Sequence, residues 1–176
     1  MRIAPGEGMG EPLNGYEPEA WSDFGVGVVG AAAALAGLLF VAMSINISRI
    51  LANRTLPARA AGNLILFVLP LLAGTWILIP GQPPVALGVE LIVTGLLASG
   101  LLLRLQRPSN RSGESLPSWL FGGLAPSVLA GALTLAGGVS VIAEHGGGLY
   151  WVAPAIVVAF GTGLAGAWVL LVEILR

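Results

Sequence analysis

The chain has 176 residues, of which 56% are hydrophobic and 10% are charged, and its formal net charge is −1. Soluble domains carry a charge on about a quarter of their residues, so this composition is typical of a membrane protein. The sequence has no cysteine, which excludes disulfides and cysteine-ligated metals, and its single histidine argues against a zinc site. The near-neutral charge balance also argues against a nucleic-acid partner.

Five apolar segments are each long enough to cross a bilayer, which takes about 20 predominantly apolar residues. The predicted spans are 24–47, 60–79, 85–103, 119–142 and 149–171. The break at residues 80–84 is so short that the second and third spans must form an antiparallel hairpin. We therefore predict an all-α membrane protein, a bundle of five transmembrane helices within residues 24–176, located in a cell membrane with the lipid bilayer around it.

Residues 1–23 contain five acidic side chains together with glycine and proline. This composition predicts a flexible acidic arm outside the cytoplasm. The first span is not typical of a cleaved signal peptide, because the region before it is acidic and its apolar run is too long. We expect it to remain in the mature protein.

The arginines predict how the bundle is oriented, because short cytoplasmic loops are enriched in positive charge. Seven of the eight basic residues fall on one side of the five predicted spans, and only Arg2 falls on the other. These seven are Arg49, Arg54, Arg59, Arg104, Arg107, Arg111 and Arg176. The amino terminus is therefore expected outside and the carboxyl terminus in the cytoplasm.

Small residues at helical spacing predict where the spans pack, because helices in lipid approach closely through glycine, alanine and serine. Two interpretations remain open for these glycines, internal packing and self-association across an oligomer interface. The predicted packing positions are Gly30, Gly37, Gly88, Gly95, Gly131 and Gly163.

Glu90 is a candidate for an ion or proton site, because ionisable groups inside a bilayer are costly. It lies about a turn and a half inside the third span, and Thr94 lies one turn below it. His145 and Glu144 end the fourth span on the same side of the membrane, and histidine titrates near neutrality. In the alternative interpretation, Glu90 is a near-interface carboxylate that reaches water or accepts a hydrogen bond from a neighbouring helix.

A second set of polar residues lies near the cytoplasmic end of the first span. Asn46, Arg49 and Asn53 share one face at 100° per residue, and Asn63 at the start of the second span is expected to meet that face. The functional hypothesis is a polar vestibule or a docking face for a partner. The alternative is hydrogen bonding between helices together with an interfacial arginine anchor.

The sequence lacks the patterns of common enzyme classes, so we predict no catalytic residues, no cofactor and no metal. There is no Gly-x-Ser-x-Gly motif, and without lysine there is no phosphate-binding loop of the Gly-Lys-Ser/Thr type. No aspartate lies within a predicted span. An intramembrane aspartic protease is therefore excluded.

Three short stretches of the first two thirds of the chain are distinctive. Residues 39–51 read LFVAMSINISRIL, residues 56–60 read LPARA, and residues 79–82 read IPGQ. These stretches resemble a group of small, mostly actinobacterial integral membrane proteins. These proteins also share Gly-x-Glu in the third helix, here Gly88-Val89-Glu90. The resemblance covers roughly the first two thirds of the chain and implies an uncharacterised membrane protein, with some members labelled modulators of the FtsH protease. It implies no catalytic or ligand residues.

These observations favour a non-enzymatic protein of the bacterial inner membrane that acts through helix–helix association. Its partner would be a second copy of the chain or another membrane protein, which it would serve as an accessory or modulator subunit. The alternative is a small ion or proton channel or transporter that uses Glu90 and His145.

Overall fold

The computed structural model describes residues 15–53, 55–106 and 120–175, and all regular secondary structure in these ranges is helical. The α-helices are α1 (Ser22–Ile45), α2 (Ile47–Ala52), α3 (Leu56–Ile77), α4 (Pro84–Leu105), α5 (Ala125–Ala143) and α6 (Val152–Leu175). Two short 3₁₀-helices, Pro18–Trp21 and Gly148–Trp151, precede α1 and α6, and a π-helical turn, Leu120–Leu124, leads into α5.

Five of these helices are long and apolar enough to cross a membrane, namely α1, α3, α4, α5 and α6. This confirms the predicted number of spans. The boundaries differ at α5, which begins at Ala125 after the π-helical turn rather than at residue 119, and at α3, which begins at Leu56 rather than at residue 60. Pro57 falls in the first turn of α3, where a missing backbone N–H costs nothing, so the proline does not delay the helix.

Helix α3 lies at the centre of the bundle and contacts α1, α4 and α6. Helix α5 packs along α4 and also contacts α6, so that α3, α4, α5 and α6 form a closed group with α1 on the outside of α3. Burial reflects this arrangement, since 56% of the apolar window of α3 is buried but only 17% of that of α1. Most of the α1 surface therefore faces outward.

The two ends of the bundle differ in chemistry. One end is formed by residues 15–21, 78–83 and 144–151, and we call it the strap end. The opposite end, the arginine end, is formed by the α1–α3 connection and the carboxyl end of α4, with Arg49, Arg59 and Arg104 among its described residues.

Glycines hold α4 and α5 in close contact. A Cβ atom placed on Gly95 would lie 2.8 Å from the carbonyl oxygen of Gly131, and one on Gly88 would lie 2.7 Å from that of Gly138. Both distances are too short for a real side chain, so this antiparallel pair depends on glycine at these positions. A Cβ on Gly131 would likewise overlap the hydroxyl of Ser99.

The other predicted packing glycines divide into two groups. Gly163 packs internally, because a Cβ there would lie 2.8 Å from Cε1 of Phe67 on α3. Gly30 and Gly37 of α1 do not, because a Cβ at either position would meet no heavy atom of the described residues within 4 Å. The described residues therefore leave the expected seam on α1 uncovered.

Candidate functional site

The α3–α4 turn brings Gln82 to Glu90. Gln82 Nε2 donates a hydrogen bond to Oε2 of Glu90, which is half-buried in the second turn of α4. The backbone at Pro83 is extended, with φ −66° and ψ 143°, so Gln82 stands just outside the helix. The oxygen of the same amide, Oε1 of Gln82, is buried and has no hydrogen-bond partner among the described residues.

A second hydrogen bond joins α3 to α4 one turn further along α4. Trp76 Nε1 donates to Thr94 Oγ1 over 3.0 Å, and Thr94 is buried. The indole of Trp76 also packs against the apolar core that includes Val28 and Leu91. Thr94, which was predicted as part of an ion site, thus accepts a hydrogen bond that joins the two helices.

His145 and Glu144 lie exposed beyond the end of α5. The structure does not join His145 to Glu90 by any hydrogen bond or ion pair in the described part of the chain, and the contact of Glu90 is with Gln82 instead. The rotation of α4 explains this difference. Gly88 faces α5, and Glu90 is turned about 200° around the helix from it, away from the helix that carries His145.

Residues 15–21, which we call the strap, pack against the α5–α6 turn. Leu149 N donates to the carbonyl oxygen of Gly15 over 2.7 Å, and Gly147 N donates to the hydroxyl of Tyr16 over 2.8 Å. The predicted flexible arm comprised residues 1–23. Of these, residues 1–14 lie outside the described residues, and residues 15–21 pack against the bundle.

Aromatic contacts and glycine conformations complete the docking of the strap. Trp21 meets Tyr150 edge to face, with ring centroids 4.9 Å apart. Gly146, Gly147 and Gly148 all have positive φ, at 85°, 109° and 56°. A Cβ on Gly148 would overlap the carbonyl of Gly15, so the glycine run makes room for the strap as well as for the turn.

Ser140 is a polar residue at this end that the sequence interpretation did not single out. Its buried hydroxyl accepts a hydrogen bond from Gly148 N over 2.8 Å and donates one to the carbonyl of His145. Trp151 Nε1 adds a bond of 2.7 Å to the carbonyl of Gly146. At the strap end, the side chains of Ser140 and Trp151 therefore form hydrogen bonds with the backbone of the α5–α6 turn.

At the arginine end, the predicted polar face is interrupted. Asn46 lies between α1 and α2 with φ −106° and ψ 15°, and its Nδ2 donates to the carbonyl of Ala42 over 2.9 Å. Asn53 ends α2, and its Oδ1 accepts from the backbone N–H of Thr55 over 3.0 Å. Both asparagines therefore satisfy local backbone groups, while Arg49 is exposed on α2.

Asn63 lies against another helix than expected. It is buried on α3, and a Cβ on Gly166 of α6 would overlap its amide, so its side chain packs onto α6. Its Nδ2 has no hydrogen-bond partner among the described residues. The predicted contact of Asn63 with the face of Asn46 and Arg49 is replaced by this contact with α6.

An open groove of about 590 Å³ runs between α5 and α6. Its lining is Ala125, Pro126, Leu129, Val158, Gly161 and Thr162. Such an apolar surface suits acyl chains rather than a polar ligand. No group of three or more His, Cys, Asp or Glu that could hold a metal occurs among the described residues.

No protein-family model matches this chain, and the comparisons with curated proteins and with solved structures find no match either. Its function is therefore inferred from the residues of the chain itself.

Proposed function

We propose that this protein is a non-enzymatic, multi-pass protein of the bacterial inner membrane that acts through helix–helix association. It associates as a homo-oligomer or as an accessory subunit of a membrane complex. One observation carries the proposal. Helix α1 has a small-residue face that no part of the described chain covers.

The face of α1 follows helical spacing from residue 30 to residue 44, and the exposed side chain of Val41 also lies on it. Gly30, Ala34, Gly37 and Ser44 are separated by four, three and seven residues, and all four are exposed. The Ser44 hydroxyl donates a hydrogen bond to the carbonyl of Phe40 in its own helix over 2.8 Å. It therefore needs no hydrogen-bond acceptor on a neighbouring helix. Such a face lets a second helix approach closely in lipid.

Helix energetics support an external contact. Glycine inside a helix is about 1 kcal/mol less favourable than alanine in host peptides. On α4 the close approach of α5 explains Gly88 and Gly95, but none of the described residues packs against Gly30 or Gly37. A second helix supplied from outside gives both residues a packing reason that the described residues do not supply.

The orientation proposed with this function places the arginine end in the cytoplasm. Arg49, Arg59 and Arg104 lie at that end, in agreement with the enrichment of positive charge in short cytoplasmic loops. With five spans, the amino terminus is then outside and the carboxyl terminus in the cytoplasm. The resemblance to small membrane proteins labelled modulators of the FtsH protease supports the accessory-subunit form.

The alternative predicted from the sequence, a small channel or transporter, has less support from the geometry. No hydrogen bond or ion pair among the described residues joins its proposed pair, Glu90 and His145, and the hydrogen bond of Glu90 is with Gln82. Beyond Thr94, α4 presents Ala98 and Leu102 to an apolar core cluster that also contains Leu66 of α3. A polar path from Glu90 along this seam would have to cross that cluster, so association is favoured over conduction.

Self-association in liposomes tests the proposal. Donor-labelled and acceptor-labelled chains are reconstituted together, and energy transfer is followed as lipid dilutes the protein. We expect Gly37→Leu to weaken association by about ten-fold, which corresponds to 1.4 kcal/mol. Gly100→Leu is the matched control, because Gly100 is also exposed on α4 but stands alone among large exposed side chains, those of Leu96, Leu97 and Leu103, rather than in a row of small residues.

Two results would contradict the proposal. One is equal weakening by Gly37→Leu and Gly100→Leu, which would reflect lipid solvation rather than a contact. The other is a wild-type chain that stays monomeric in liposomes and also shows no contact at the α1 face in native membranes.

A further inference from the structure

Gln82 places a buried oxygen without a hydrogen bond beside a carboxylate. Its Nε2 donates to Glu90 Oε2, and its Oε1 has no partner among the described residues. A buried acceptor without a donor costs about 1–3 kcal/mol. Native structures usually satisfy such a group with an ordered water or an ion.

The known contact of Glu90 brings no positive charge to its carboxyl group, because the amide of Gln82 is uncharged. The arginines among the described residues, Arg49, Arg59 and Arg104, lie at the opposite end of the bundle, and no hydrogen bond or ion pair in the described part of the chain joins His145 to Glu90. A carboxylate within a membrane span is costly unless a proton or a cation accompanies it.

We propose that the side-chain oxygens of Gln82 and Glu90 form a binding site for one monovalent metal cation, Na⁺ or K⁺. The hydrogen bond between the two side chains holds the amide and the carboxyl group side by side. A cation supplies a partner for Oε1 of Gln82 and a positive charge beside the carboxyl group of Glu90. A monovalent ion fits the single carboxylate, with water or backbone carbonyl oxygens as its remaining ligands. Ca²⁺ sites commonly contain several carboxylates, and no cluster of three or more acidic or histidine side chains occurs in the described residues.

On the side of Glu90 that faces the arginine end, the site does not continue through the bundle. Trp76 and Thr94 close the α3–α4 seam one turn further along α4, and the apolar cluster with Leu66 and Leu102 follows. The geometry therefore corresponds to a cation that is bound and held at the α3–α4 turn. This role is independent of association through α1.

The test measures ion dependence on the purified full-length chain in detergent. The melting temperature is compared in sodium, potassium and choline chloride at equal ionic strength, and binding of radioactive sodium is measured directly. The expected result is a higher Tm in one or both metal salts than in choline, because an ion that binds the native state stabilises it. Saturable binding should approach one ion per chain.

Three variants connect the ion to the site. Glu90→Gln keeps the size of the side chain and removes its charge, and Gln82→Leu removes the unpaired oxygen. Both should weaken cation binding by about ten-fold or more, equivalent to 1.4 kcal/mol. Glu144→Gln is the control, because it removes an exposed carboxylate from the same end of the bundle without touching the pair. It should bind the ion as the wild type does.

A wild-type chain with the same Tm in all three salts and no saturable sodium binding would overturn the proposal. So would sodium binding that persists unchanged in Glu90→Gln. If Gln82→Leu does not fold, the wild-type salt comparison and the Glu90→Gln variant still decide the question.

Discussion

The docking of the strap can be tested by comparing two glycines of one turn. Gly146 and Gly148 both have positive φ, so alanine is strained at either position. They differ in their surroundings. A Cβ on Gly146 would lie 3.4 Å from Ser140 Oγ, an ordinary contact, whereas a Cβ on Gly148 would overlap the Gly15 carbonyl.

The expected magnitudes follow from this difference. Left-handed backbone costs an L-residue roughly 1–2 kcal/mol, which is the whole expected effect of Gly146→Ala. Gly148→Ala adds the loss of the hydrogen bond from Leu149 N to the Gly15 carbonyl, worth about 0.5–1.5 kcal/mol net. The total for Gly148→Ala is then about 1.5–3.5 kcal/mol, and the excess over Gly146→Ala, about 1 kcal/mol, belongs to the strap.

Hydrogen exchange separates the two contributions, because the Leu149 amide is the donor to the strap. An excess of about 1 kcal/mol in local opening corresponds to roughly five-fold faster exchange of that amide in Gly148→Ala. Gly146→Ala should leave the Leu149 amide protected. Equal protection in both variants, with equal free energies of unfolding, would refute the docking of residues 15–21 on the turn.

Three further predictions use the same unfolding measurement. Tyr16→Phe removes the acceptor of the Gly147 amide and should lower the free energy of unfolding by about 1 kcal/mol, with faster exchange of that amide. Gly95→Ala should destabilise by up to about 2 kcal/mol, because overpacking against the Gly131 carbonyl outweighs the gain in helix propensity. Asn63→Leu should be neutral or stabilising, because it replaces a buried amide whose Nδ2 has no described partner with an apolar group of similar size. Destabilisation by Asn63→Leu of 2 kcal/mol or more, or full tolerance of Gly95→Ala and Tyr16→Phe, would contradict these assignments.

The spans were predictable because the requirement for a membrane helix is a length and a composition. Five apolar runs satisfied that requirement, and the structure has five helices that meet it. The exact boundaries depended on local chemistry. Pro57 lies before the predicted second span, 60–79, yet it belongs to the first turn of α3, where proline is favourable.

The packing partners were not predictable, because residue type does not say what lies opposite. Gly88 and Gly37 have the same chemistry and similar helical spacing in the sequence. One lies against the backbone of α5, and the other faces outward from α1. The rotation of each helix about its axis decides between these outcomes, and spacing within one helix does not reveal it.

The same limit applies to the polar site. The sequence indicated the depth of Glu90 but not the direction of its side chain, so a partner at the same depth, His145, was preferred over Gln82 in the adjacent turn. The strap was hidden for a different reason. Tyr16 and Gly147 are 131 residues apart, and short-range patterns carry no signal for such a contact.

The most direct test of the central claim is site-specific photo-crosslinking from the face of α1 in native membranes. A photoreactive amino acid replaces Ala34 on that face, and the control carries it at Val93, which is 48% exposed on α4. The proposal predicts a discrete adduct from position 34, to a second copy of the chain or to one membrane partner, and only lipid-labelled monomer from position 93. Adducts of equal yield from both positions, or none from position 34, would contradict it.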